Sequence, residues 1–203
     1  MTFLEHPIFT ISLSLFLLMD AIGNVPVFIS LLKTFSPARQ RIIILRELLI
    51  ALGLILLFYF IGDVFLKALG VSEQTVRISG GVILFLIALR MIFPTGEPEK
   101  NQPLQEEPLL VPLAIPLIAG PAILAAVMIY SRQDIPHAHV LTGIALAWVF
   151  STLILLIAPL LHRFLGKRGL TALERLMGLI LILIAVQMFL DGLGGFILGK
   201  ATP

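Results

Sequence analysis

No cysteine occurs anywhere in the sequence, so disulfides, thiolate metal sites and thiol nucleophiles are excluded, although this absence names no compartment. Charge is also scarce: 13% of the 203 residues are Asp, Glu, Lys or Arg, about half the share usual in soluble domains, and aromatic residues make up only 8%. The motifs of common hydrolytic chemistry are missing too. There is no H-E-x-x-H, no G-x-S-x-G and no G-x-x-x-x-G-K-S/T, so metal hydrolysis, hydrolase-elbow chemistry and P-loop nucleotide use lack their required groups. His137 and His139 have no third ligand nearby in sequence, and a paired-aspartate intramembrane protease would need a second mid-membrane carboxylate opposite Asp20. We therefore expect no enzyme, no catalytic residue, no metal and no cofactor.

What the chain has in abundance is apolar sequence: 59% of residues are hydrophobic and the mean hydropathy is +1.07. These residues come in blocks near or above the ~20 needed for a helix to cross a 30 Å hydrocarbon core. An all-α membrane protein is implied, with six spans at about 8–32, 42–62, 74–93, 109–130, 139–161 and 176–198. The first block has no basic flank before it and is too long for a signal h-region, so it is expected to be a retained helix. The net charge of +2 does not point to nucleic acid, because Lys and Arg flank the apolar blocks instead of forming a face.

Between the third and fourth spans, residues 94–108 hold four prolines together with Glu97, Glu99, Glu106 and Glu107, the composition of a solvated linker. The chain is thereby divided into a first half of about 1–93 and a second of about 109–203, within a single polytopic domain. Lys33, Arg39, Arg41, Arg46, Arg90, Lys100, Arg163, Lys167, Arg168 and Arg175 collect on one side, and Lys67, Arg77, Arg132 and Lys200 on the other. Because positive loops resist translocation, this bias places both termini outside.

The halves resemble each other. A shift of 97 sets Gly81, Leu84, Leu86, Ile87, Ala88 and Met91 on Gly178, Leu181, Leu183, Ile184, Ala185 and Met188, and also Gly23 on Gly120. Two related halves of three spans each must be inverted across the membrane, as in many secondary transporters.

Two spans carry helix breakers near their middles. The first contains Asp20-Ala21-Ile22-Gly23-Asn24-Val25-Pro26; the fourth contains Pro112, Pro116 and Gly120-Pro121. Proline removes an N–H and crowds the carbonyl four residues back, and Gly and Asn tolerate non-helical angles, so both helices are expected to unwind there for about a turn. Unwound backbone is tolerated at membrane depth only in the protein interior, so the breaks should face inward. Half-helices starting at Pro26 and Pro121 would aim N–H groups at the midplane, an arrangement suited to an anionic group. The expected substrate- or ion-binding residues are therefore Asp20, Gly23, Asn24, Pro26, Gly120 and Pro121. A buried Asp costs about 2.5–3.5 kcal/mol on insertion scales and ordinarily marks an ion, proton or substrate path; the bland alternative is a carboxylate that caps the following helix. Leu117 stands at the equivalent place in the second half, so the acidic site is single. Glu47, near the basic end of the second span, is expected to pair with Arg46 or Arg90. Gly195 and Gly199 form a G-x-x-x-G that offers a seat for another helix or subunit.

The stretches Asp20-Ala21-Ile22-Gly23-Asn24-Val25-Pro26-Val27-Phe28 and Pro112-Leu113-Ala114-Ile115-Pro116-Leu117-Ile118-Ala119-Gly120-Pro121 resemble the two signatures of the MarC family of bacterial inner-membrane proteins, and the similarity runs along the whole chain. Ala21 and Ala122 depart from the family's usual Pro and Gly. The resemblance implies a multi-pass protein of the bacterial inner membrane, grouped with LysE-like exporters in a family whose function is uncharacterised. By analogy it implies export of a small amino-acid-like or carboxylate-bearing solute. From the residues themselves, Asp20 makes a proton or cation the expected coupling ion, and the Gly195 and Gly199 face makes a homo-oligomer in the bilayer a further expected partner. A channel, or an assembly partner without transport activity, is the alternative.

Overall fold

The computed structural model describes residues 7–32, 35–93 and 118–201, and within them every regular element is a helix. These are α1 (Pro7–Met19), α2 (Ala21–Leu32), α3 (Pro37–Ala68), α4 (Glu73–Ile92), α5 (Pro121–Tyr130), α6 (His137–Leu156) and α7 (Ala158–Ala201). Among the described residues, five stretches are long and apolar enough to cross a membrane: Pro7–Ile29, Pro37–Gly62, Glu73–Ile92, His137–Leu156 and Arg168–Ile197. α5 is a shorter apolar helix of 10 residues. The linker at 94–108 and the start of the expected fourth span, with Pro112, Pro116 and Leu117, lie outside the described residues. The last helix begins earlier than the apolar pattern implies, at Ala158, and is interrupted where Gly166 takes φ 60°. Only glycine adopts such an angle cheaply.

Local sequence explains where the helices start and stop. Ser72 caps α4 by accepting from the Thr75 N–H at 3.3 Å, and Glu73 pairs with Arg77 one turn on at 2.6 Å. α3 ends in a left-handed glycine: Gly70, at φ 66°, lets the Val71 and Gly70 N–H groups reach back to the carbonyls of Leu66 and Lys67 at 2.9 and 3.1 Å. Gln40 bridges two elements by donating its side-chain amide to the carbonyls of Leu32 (2.9 Å) and Phe35 (3.0 Å), which satisfies backbone groups at the end of α2.

Packing divides each helix into an inner and an outer face. One continuous core runs from Leu15 and Met19 through Phe28, Leu48 and Ile55 to Ile123, Ile144, Leu181 and Ala185. Outside it, Phe60 and Val64 of α3, Leu86 of α4, Phe150 of α6 and Leu183 of α7 remain exposed, the distribution expected where lipid is the solvent. α4 lies along α7, α1 along α6, and α3 touches α6. α2 packs on α6 and α7, while α5 packs on α3 and α4.

Small residues permit the closest approach. A Cβ added to Gly81 would stand 2.7 Å from the Ala185 carbonyl oxygen, 3.0 Å from the Phe189 nitrogen and 3.4 Å from the Met188 Cβ. One added to Gly178 would stand 3.1 Å from the Ala88 carbonyl oxygen, 3.1 Å from the Met91 Cβ and 2.9 Å from the Ile92 side chain. These contacts are reciprocal under the 97-residue shift. Backbone-to-backbone seating of this kind is how membrane helices associate where no hydrophobic force separates protein from lipid.

Candidate functional site

The first span is interrupted, but at Asp20 and not at Gly23 to Pro26. Asp20 takes φ 46° between α1 and α2, and Pro26 lies inside α2. Asp tolerates the left-handed region better than most residues, and its carboxylate can do what a proline cannot: occupy the exposed N–H groups of the helix that follows. Asp20 Oδ1 accepts from the Gly23 N–H at 3.2 Å, and the Asn24 N–H reaches the Asp20 carbonyl at 3.0 Å. The half-helix therefore starts at Ala21, five residues before the sequence reading would start it. The interruption thus falls where a carboxylate caps the following helix, while Pro26 is carried within that helix.

Gly23 is required by this arrangement. A side chain there would collide with both carboxylate oxygens of Asp20 and with the Met91 methyl of α4. Asn24 donates its side-chain amide to the Met19 carbonyl at 3.3 Å, holding one of the carbonyls that end α1. Asp20 and Asn24 are each only 8% exposed. Glu174 of α7 lies close enough to Asp20 for the two carboxylates to repel, and Arg175 offsets Glu174.

In the second half, Gly120 is extended (φ −72°, ψ 168°) and Pro121 opens α5, where its missing N–H leaves no bond unmade. Of the expected site residues, Asp20, Gly23, Asn24 and Pro26 lie on α2 or at its N-terminus and Gly120 and Pro121 at the start of α5, which packs on α3 and α4 and touches α1.

Other polar residues fall into place around them. Glu47, fully buried, takes Arg46 as its partner at 3.0 Å. Ser151 Oγ donates to the Met19 sulfur at 3.2 Å, and Trp148 Nε1 donates to the Leu48 carbonyl at 2.8 Å. Toward the other end of α3, Tyr59 hydrogen-bonds His137 at the start of α6. Arg77 lies 4.0 Å from Asp191, which accepts from Gln187. Gly195 packs against the Gln74 side chain of the same chain, so this part of the G-x-x-x-G faces α4. The sequence reading passed over Glu174 and singled out Met91 only as a position matched between the halves, with no sign that it would meet Gly23.

Comparison with known proteins finds relatives that are membrane proteins. The model of the MarC family, described as integral membrane proteins, matches residues 5–197. The UPF0056 inner membrane protein YhgN of Escherichia coli (strain K12) is 50% identical over 191 residues, covering 93% of this chain and 96% of that one. A UPF0056 membrane protein of Buchnera aphidicola from Schizaphis graminum is 48% identical over 189 residues (93% and 96%), and one of Chlamydia pneumoniae 38% identical over 196 residues (93% and 97%). No solved structure matches. With the signature residues around Asp20 and Gly120 in place and the similarity extending along nearly the whole length, the chain belongs to the MarC family of multi-pass integral membrane proteins.

Proposed function

We propose that this chain is a secondary transporter of the bacterial inner membrane that exports a small amino-acid-like or carboxylate-bearing solute, coupled to a proton or other ion. Asp20 carries this reading: a carboxylate at 8% exposure, set at a helix interruption between apolar spans, is costly to keep unless it takes part in a path across the bilayer. Gly23, Asn24 and Pro26 shape the break around it, and Gly120 and Pro121 supply a second helix start.

The architecture in this reading is two inverted three-helix repeats with both termini outside. The reciprocal seating of Gly81 and Gly178 supports it. So does the contact pattern, in which α2 with α6 and α7 corresponds to α5 with α3 and α4. No residue has a catalytic role.

The test compares the solutes outside cells overproducing the wild-type chain with those outside cells holding equal amounts of membrane-inserted Asp20→Asn protein. A solute enriched by the wild type alone is the expected result. Equal export by the variant would remove Asp20 from the mechanism.

A further inference from the structure

Five buried residues among those described are polar or charged: Asp20, Asn24, Glu47, Ser151 and Thr152. They come from three separate parts of the chain but gather at one level. The Ser151 hydroxyl touches Met19, the residue before Asp20, and the Trp148 indole touches Leu48, the residue after Glu47. A single turn of α6, about 6 Å of helix from 148 to 152, thus lies against both carboxylate-bearing segments.

Two oxygens in this layer lack partners. Glu47 has no exposed surface, and while its Oε1 is held by Arg46 at 3.0 and 3.2 Å, its Oε2 is buried without a hydrogen bond. Thr152, 7% exposed, buries its hydroxyl oxygen equally unpaired. Buried polar atoms are rarely left this way.

Arg46 reaches only one of the two carboxylate oxygens of Glu47. A buried unpaired carboxylate oxygen beside a buried unpaired hydroxyl oxygen is a pair of acceptors, and it calls for a positive group small enough to enter a helical interior. Neither a hydrophobic solute nor an anion satisfies them.

We propose that this layer is a binding site for a small monovalent cation, with Glu47 Oε2 and Thr152 Oγ1 as its direct ligands and Asp20 on the other segment that the same α6 turn touches. The cation is an alkali ion or the primary ammonium group of a solute; both present the same charge to the same oxygens. The site's part in transport rests on the carrier reading above, but its occupancy does not.

The full-length protein, purified in detergent in a choline-based buffer at constant ionic strength, is melted with increasing sodium chloride in one arm and ethylammonium chloride in the other. A saturable rise in the unfolding midpoint is expected in one arm, roughly 5–10 °C at a hundredfold excess over Kd. Sodium as the active salt assigns an alkali ion, and ethylammonium assigns an ammonium group. The rise should disappear in Glu47→Gln and in Thr152→Val, the latter keeping shape and charge if the former folds poorly. It should persist in Asp191→Asn, far along α7. No saturable rise in either arm, or one that survives both substitutions, overturns the site. Stabilisation by lowered pH in choline alone, without any cation response, assigns the layer to a proton and also overturns it. A cation response without solute export refutes the carrier and spares the site; export without a cation response does the reverse.

Discussion

Gly81 of α4 faces the Ala185 carbonyl of α7 so closely that a methyl group at position 81 would stand 2.7 Å from that oxygen. The obstacle is backbone, which cannot rotate aside. Gly178 meets the Ala88 carbonyl in the same way, so each glycine seats the helix that carries the other.

Gly81→Ala should therefore force α4 and α7 apart and lower stability by about 1–3 kcal/mol, the usual cost of overpacking a well-fitted contact. Gly178→Ala should fall in the same range or slightly below, its carbonyl neighbour being 3.1 Å away. Gly53 of α3 has nothing within 4 Å, so Gly53→Ala should be neutral or stabilising by up to about 1 kcal/mol. Thermal unfolding of the three variants in detergent checks the order. Equal effects at 53 and 81 would mean that α4 and α7 do not meet as described.

Asp20→Asn should preserve the fold within about 1 kcal/mol, because asparagine caps helices as well as aspartate does and also tolerates a left-handed backbone. Asp20→Ala removes the acceptor for the Gly23 N–H and retains the strained φ of 46°, and should cost about 1–3 kcal/mol. Unfolding midpoints of the two variants separate structure from function. A solute lost equally in both, with only the alanine variant destabilised, is the expected pattern.

Gly23→Ala is expected to displace the Asp20 carboxylate, since a methyl group collides with both of its oxygens. The Met91 methyl is the free end of a flexible side chain and can move. The expected loss is about 1–2 kcal/mol from the broken cap, together with loss of export. Met91→Ala combined with Gly23→Ala should not restore export, because the carboxylate and not the methionine is the group that matters. Recovery in the double variant would shift the role to Met91.

Pro26→Ala tests which residue holds the interruption. If Asp20 holds it, spin labels placed on α1 and α2 should keep their separation, and stability should stay level or rise as the Ile22 carbonyl regains a donor. A straightened helix would make Pro26 the cause.

Trp148→Phe removes the bond between the indole and the Leu48 carbonyl, which keeps its place in the α3 backbone ladder, at a cost of about 0.5–1.5 kcal/mol. Asp191→Asn disrupts a 4.0 Å pair with Arg77 whose side chains are 46% and 25% exposed, and should change stability by less than about 1 kcal/mol. Measured together, the two variants should show that the single neutral hydrogen bond outweighs the ion pair.

The sequence by itself determined the membrane and most of the spans, and it matched Gly81 with Gly178. Apolar blocks of bilayer length have no other solvent in which to be stable as helices, and Gly81 and Gly178 recur at a fixed shift because the same close contact is made twice. It also marked Asp20, since a carboxylate is conspicuous in hydrocarbon. Only the tertiary structure decided where the first span breaks. Proline, glycine and aspartate each disturb a helix locally, but the position that yields is the one whose exposed N–H groups find an acceptor, and that is Asp20. The contacts of Ser151 with Met19 and of Trp148 with Leu48 were likewise invisible in the sequence, because residues 132 and 100 positions apart become neighbours only when α6 packs against both α1 and α3. Helical periodicity tells which face a residue occupies; it does not tell which other helix that face will meet.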